Sequence, residues 1–157
     1  MNRELDDIRE FLEHESDLLD RGDFAGWVDL CTADATYWMP VSADQTDPLG
    51  EISILYENRT LMDIRKYNYA HPLSPAFESP VRCSHIVGGV RLLPGEGPGI
   101  HVRAKFHCAL WYRDEQRLFA GVSHYVLHRI DSTLRIHHKR VDLVNAEAWH
   151  KSIPIYL

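Results

Sequence analysis

The sequence predicts an α+β fold of three N-terminal helices packed on one curved, mainly antiparallel sheet, and three observations predict it. Apolar residues recur at three- and four-residue steps in the N-terminal part of the chain. Beyond Pro80 the period drops to two. The turns between the later segments are short, which suits antiparallel neighbours, since parallel strands need long crossovers. Helices gathered ahead of strands, instead of alternating with them, form segregated layers around one core.

The first helix rests on Leu5, Ile8, Phe11, Leu12, Leu18 and Leu19, with Glu4, Asp6 and Asp7 near its start, where carboxylates favour the helix dipole. Arg21-Gly22 ends it. Asp23 is an N-cap for a short second helix on which Phe24, Trp27, Val28 and Cys31 share a side. Ala35 to Val41, rich in aromatic residues and ended by Pro40, is a first strand. Ser42 to Gly50 is a polar loop, after which Ser53 caps a third helix carrying Ile54, Leu55, Leu61, Met62 and Ile64. The prolines between His71 and Pro80 bar regular structure there. Four strands follow: Val81 to Leu93, Ile100 to Arg113, Arg117 to Ile130 and Leu134 to Asn145. In the second of them His101, Arg103, Lys105 and His107 alternate with Val102, Ala104, Phe106 and Cys108, as in a sheet wet on one face. This order resembles the cone shared by cystatin-like and nuclear transport factor 2-like folds. No repeat or linker divides residues 1–157, so a single domain is expected.

A chain of 157 residues that is 45% apolar has core enough to fold without staples. Its formal charge is −6, with Lys and Arg spread along the chain, so neither nucleic acid nor an anionic membrane surface is expected as a partner. No stretch has the length and apolarity of a membrane span, and the charged first residues lack the apolar run of a secretory signal. A cytoplasmic location is expected. Cys31, Cys83 and Cys108 are odd in number, widely spaced and set among apolar neighbours, as reduced core thiols are.

Ten histidines raise the question of a metal, and their spacings speak against one. Cys83-Ser84-His85 is half of a Rieske pattern, but Cys108 is followed three residues later by Trp111 where a histidine is needed. His124, His128 and Asp131 would make a two-His-one-carboxylate face on a helix, yet on a strand the imidazoles stand roughly 13 Å apart. His137 and His138 point to opposite faces of their strand. No metal ligand set and no cofactor site is therefore expected in this chain. Gly88, Gly89, Gly95, Gly97 and Gly99 fall in a strand and its turn, not in a phosphate-binding loop. Asp34, Tyr37, His85, Tyr125 and Arg140 are the side chains that would line a cone's mouth or interior. His85 suits either a general base or a structural histidine bonded to a neighbour. Asp34 suits either an acid or a local turn-former.

Four blocks of sequence carry a family resemblance. Leu19 to Pro40 leads an acidic helix into Asp34-Ala35-Thr36-Tyr37-Trp38-Met39-Pro40. Ser53-Ile54-Leu55-Tyr56 is followed by Arg59, Leu61 and Arg65. Ser79 to Val90, the most specific block, spaces Arg82, His85, Val87 and Val90 as Arg-x-x-His-x-Val-x-x-Val. Leu134 to Leu143 precedes an apolar tail at Ile153 to Leu157. Together they resemble the small (β) subunits of aromatic-ring-hydroxylating dioxygenases. Ser84, Gly89 and His71-Pro72 depart from that family's usual arginine, asparagine and Trp-Ser, which bears on subfamily and substrate more than on fold.

The resemblance implies a small, non-catalytic structural subunit with no metal or cofactor of its own. It implies a large (α) subunit carrying a Rieske [2Fe-2S] cluster and a mononuclear Fe(II), fed with NAD(P)H electrons through a reductase and ferredoxin. Three of each subunit assemble in such proteins, the small ones also touching copies of themselves, and dioxygen is added across an aromatic ring to give a cis-dihydrodiol. Trp38, Arg59, Arg65, Arg82, Trp149 and Tyr156 are of the types that interfaces favour, although each type is also found in cores. Trp149 and Tyr156, close to the terminus, are expected at the interface. The competing reading is a free-standing enzyme of the same cone, a dehydratase, isomerase or cyclase using His85, Asp34 and Tyr37; a module that binds an apolar ligand is the third. An open polar cavity favours either rival, and a cone plugged by side chains favours the subunit.

Overall fold

Helix α1 (Arg3–Asp20) buries Ile8, Leu12, Leu18 and Leu19 against the sheet. The computed structural model describes residues 2–74 and 80–157. Arg21-Gly22 stops α1 as its sequence suggests. Gly22 lies at φ +69°, its N–H bonds Leu19 O at 3.0 Å, and the Asp23 N–H bonds Leu18 O at 2.9 Å. This bond pair is a Schellman motif, which needs the left-handed conformation glycine adopts freely. Asp23 then caps α2 (Phe24–Asp29) by accepting from the Gly26 N–H at 2.9 Å. The tight reversal leaves Asp20, the last residue of α1, against the sheet. Cys31 does not complete α2 but opens β1 (Cys31–Pro40).

The remaining elements are β2 (Ser53–Asn58), α3 (Arg59–Ala70), β3 (Arg82–Leu93), β4 (Ile100–Tyr112), β5 (Glu115–Ile130) and β6 (Thr133–Leu143). They form one six-stranded sheet in the order β2-β1-β6-β5-β4-β3, antiparallel except where β1 runs parallel to β6. One segment departs from expectation: Ser53 to Asn58 is a strand, and the third helix starts only at Arg59, capped by Asn58, which accepts from the Leu61 N–H at 3.0 Å. Ser53 instead accepts from the Trp38 indole N–H at 2.8 Å across the β1–β2 pair. Cross-strand pairing overrides a local pattern that fits a helix equally well. The irregular stretch expected from His71 to Pro80 falls partly on residues 75–79, outside the described residues.

Both long hairpins turn on two residues in the left-handed region: Arg113 and Asp114 at φ 51° and 58°, Asp131 and Ser132 at φ 48° and 65°. Primed turns of this kind match the twist of the strands they join. In β3, Gly88 pairs with Lys105 and Arg91 with Arg103, so one extra residue bulges out, with Gly89 at φ +60°. A second bulge lies in β6, where Ile136 and His138 pair with the adjacent Leu127 and Val126. It reverses the facing of the strand: Leu134 and Ile136 point into the core before it, Lys139, Val141 and Leu143 after it. A lysine is thereby turned inward. The alternation read in β4 holds, with Val102, Ala104, Phe106, Cys108 and Leu110 buried.

Candidate functional site

The inward lysine meets a buried acid. Glu15 of α1 accepts from Lys139 Nζ at 2.6 Å and Trp27 Nε1 at 3.0 Å on one oxygen, and from the Tyr125 hydroxyl at 2.8 Å on the other. The side chains of Glu15 and Lys139 are only 2% and 3% exposed. Every polar group of this knot has a partner, the condition under which buried charge is tolerated. Beside it the rings of Trp27 and Tyr156 stack at 4.2 Å, and Tyr37 meets Tyr156 edge-on at 5.2 Å. The Tyr37 hydroxyl accepts from the Leu157 N–H at 3.0 Å, and the Tyr156 hydroxyl donates to Glu57 at 2.7 Å. Burial, reinforced by the Glu15 charge, pushes the Tyr37 and Tyr125 hydroxyls above the ordinary phenol range. They are hydrogen-bonding phenols, poorly suited to proton transfer near neutral pH.

The three side chains that a free-standing enzyme would use do not converge. Tyr37 is fully buried in the core, whereas Asp34, on the same strand, has its side chain 79% exposed. Asp34 accepts from the Thr32 hydroxyl at 2.9 Å and lies 3.3 Å from His137 Nδ1, and the Thr32 bond is the first cause of its lowered pKa. His85 is on β3, separated from β1 by three strands. Arg140 grips Asp142, donates to the carbonyls of Gln45 at 2.6 Å and Ala43 at 2.9 Å, and lies over the Trp38 ring at 4.6 Å. It pins the loop after β1 to the sheet.

Of the expected interface residues, four are used within this chain. Trp38 is buried beneath Arg140. Arg59 donates to the carbonyls of Cys31 and Thr32 and pairs with Asp63. Arg65 pairs with Glu57 and lies over the Tyr156 ring. Tyr156 corrects the expectation drawn from its place near the terminus: the tail folds back, and Ile155, Tyr156 and Leu157 are all core residues. Arg82 is exposed and Trp149 is 82% exposed. The surface also holds Leu61 and Ile64, two of the apolar residues read as carried by the third helix. With Tyr67 they lie at three-residue steps on the outer side of α3, whose one buried residue is Met62.

A further cluster forms where the end of α1 meets the edge strand. The two Asp20 oxygens accept from the His85 backbone N–H at 3.0 and 3.1 Å, and Oδ1 lies 2.6 Å from His85 Nδ1. Cys83 Sγ is 3.6 Å from both Asp20 Oδ1 and Leu19 O. His85 pairs directly with Cys108 on β4, and a ring nitrogen of His85, Cys83 Sγ and Cys108 Sγ all lie within 4.8 Å of one another. Burial disfavours a charge on His85, but the Cys83 thiol and the Asp20 carboxylate outweigh it and its pKa is raised. Cys108, with His85, draws the Cys83 thiol below its ordinary range against burial. Spacing along one strand could not reveal this group, because its third member arrives from the neighbouring strand. It also lacks the second histidine of a Rieske centre.

The chain is similar to the beta subunit of toluate 1,2-dioxygenase from Pseudomonas putida, at 28% identity over 143 residues that cover 88% of each chain. It is similar to the small oxygenase component of the p-cumate 2,3-dioxygenase system of Pseudomonas putida, at 28% over 143 residues that cover 85% of this chain and 76% of that one. Among solved structures it matches the beta subunit of benzoate 1,2-dioxygenase from Burkholderia mallei with a TM-score of 0.69 and 28% identity, covering 88% of this chain and 89% of that one. The family model of the ring hydroxylating beta subunit matches residues 14–148, and the chain belongs to that family.

Proposed function

We propose that this chain is a non-catalytic structural subunit, a stiff base on which the iron-bearing large subunit of an aromatic-ring-hydroxylating dioxygenase is assembled. The observation that supports the reading is the aromatic packing of the interior among the described residues. Trp27, Tyr37 and Tyr156 pack ring on ring where a free-standing enzyme of this shape would hold its substrate, and the Leu157 backbone is bonded to Tyr37. The separation of Asp34, Tyr37 and His85 across the sheet supports the same conclusion. The outward Leu61, Ile64 and Tyr67 of α3, together with Trp149, supply apolar surface whose removal from water favours association.

In this reading the large subunit carries the Rieske [2Fe-2S] cluster and mononuclear Fe(II), three copies of each subunit assemble, and a reductase and ferredoxin deliver NAD(P)H electrons. The complex forms a cis-dihydrodiol from an aromatic ring bound by the large chain. The complex works in the cytoplasm, without nucleic acid or membrane as a partner; no helix of the described residues is long and apolar enough to cross a membrane.

The test is to express this chain alone, the large chain alone and both together, then measure size, iron, acid-labile sulfide and ring dihydroxylation. One complex with all the cluster iron on the large chain is expected. A chain that stays alone and turns over a substrate by itself would overturn the proposal.

A further inference from the structure

We propose that Cys83, His85 and Cys108 form a binding site for one thiophilic divalent cation, zinc, which ties strands β3 and β4 to the end of α1. This inference does not depend on the subunit reading and concerns a different metal from the iron proposed for the large chain.

The sheet register builds the site. His85 stands directly opposite Cys108, and Cys83 lies two residues away on the same face of β3, which brings the two sulfurs and one ring nitrogen of His85 within 4.8 Å of one another. Around tetrahedral zinc, with bonds of about 2.3 Å to sulfur and about 2.0 Å to nitrogen, ligand atoms stand about 3.5–3.8 Å apart. From separations of up to 4.8 Å the group must therefore contract by up to about 1 Å, within reach of side-chain rotation.

The histidine is the second, independent observation. Its side chain is 3% exposed, yet Nε2 is buried without a hydrogen-bond partner. A buried nitrogen left in this state is unusual. Nδ1 is held by Asp20, which leaves Nε2 as the nitrogen free to bind. A carboxylate on the far nitrogen is the arrangement that fixes a metal-binding imidazole in the correct tautomer. Asp20 is itself held by two bonds from the His85 backbone N–H.

Two thiolates and one imidazole are soft ligands, which select zinc over the oxygen-seeking magnesium and calcium. The charge balance also favours a divalent ion, since two thiolates cancel it and the Asp20 carboxylate stays outside the coordination sphere.

The test uses the full chain, purified under reducing conditions with zinc present and no chelator. Expected are about one zinc per chain by mass spectrometry of the metal, and a thiolate-to-cobalt charge-transfer band when cobalt(II) replaces it. Cys83→Ser, Cys108→Ser and His85→Ala should each lose most of the zinc, while Cys31→Ser, whose thiol lies elsewhere in the core, keeps it. The cobalt titration of the unmodified chain reads the site even where a variant fails to fold. Less than about a tenth of an equivalent of zinc with no cobalt band would overturn the proposal. So would full zinc retention in Cys108→Ser, or loss of two thiols to a Cys83–Cys108 disulfide in protein that takes up no metal.

Discussion

Removing the Glu15 carboxylate should be the most damaging single change to the core. In Glu15→Ala the Lys139 ammonium stays buried without its counter-charge, and the Trp27 N–H and Tyr125 O–H lose their acceptor. Breaking one side of a buried ion pair costs about 3–5 kcal/mol, because the remaining charge is uncompensated. A domain of this kind has about 5–15 kcal/mol of stability in total, so the variant sits near its unfolding threshold. Replacing both charges separates this effect from lost packing. Glu15→Gln with Lys139→Met removes both charges together, and the amide keeps an acceptor oxygen for the indole while its NH2 donates to the Tyr125 hydroxyl oxygen. The double variant should lie within about 1–2 kcal/mol of the unmodified chain, since apolar replacement of a buried pair is often close to neutral. Urea unfolding followed by circular dichroism measures all of these as a double-mutant cycle. A cost under about 1 kcal/mol for Glu15→Ala, or single-variant costs that simply add in the double variant, would refute the reasoning.

Three further perturbations follow from local geometry. His138 is held below its ordinary pKa of 6.5 by burial, then by the neighbouring His137 and Arg140 charges. A depressed histidine contributes stability that is present above 6.5 and is lost as pH falls through the folded-state value. The stability gap between the unmodified chain and His138→Gln should therefore shrink on acidification below 6.5, and a gap independent of pH in unfolding titrations would count against it. Ser132 sits at φ 65° in a two-residue turn, where Ser132→Gly creates the preferred Asp-Gly pair. A gain of about 0.5–1 kcal/mol in thermal unfolding is expected, and a loss would contradict the turn assignment. A Cβ on Gly121 would stand 2.1 Å from the Asp142 carbonyl oxygen across the β5–β6 pair. Gly121→Ala should cost about 1–3 kcal/mol by the same measurement, since backbone cannot swing aside as a side chain can.

What could be read before the fold was known was what a single segment encodes. Arg21-Gly22 marks the end of the first helix and the short side chain of Asp23 the start of the next, and the alternation in β4 is a property of that strand alone. Features that depend on a second segment were illegible. Ser53-Ile54-Leu55 satisfies helix and strand patterns alike until β1 is beside it. Lys139 faces the core only because a bulge in β6 reverses the side-chain facing, and no glycine marks that spot. Tyr156 looks like a frayed terminal residue until Trp27 and Glu57 are there to hold it. The Cys83, His85 and Cys108 group is hidden for the same reason, since 23 positions of chain separate His85 from its partner across the strands.

The assembly itself is most directly tested by native mass spectrometry of the large chain co-expressed with an affinity-tagged copy of this one, unmodified or carrying Ile64→Glu. Equal numbers of the two chains should be recovered in one particle with the unmodified subunit. The charged substitution at Ile64, 52% exposed on the outer side of α3, should release the large chain while leaving the small subunit folded. Recovery of the tagged chain alone, with no large chain bound even in the unmodified form, would contradict a supporting role.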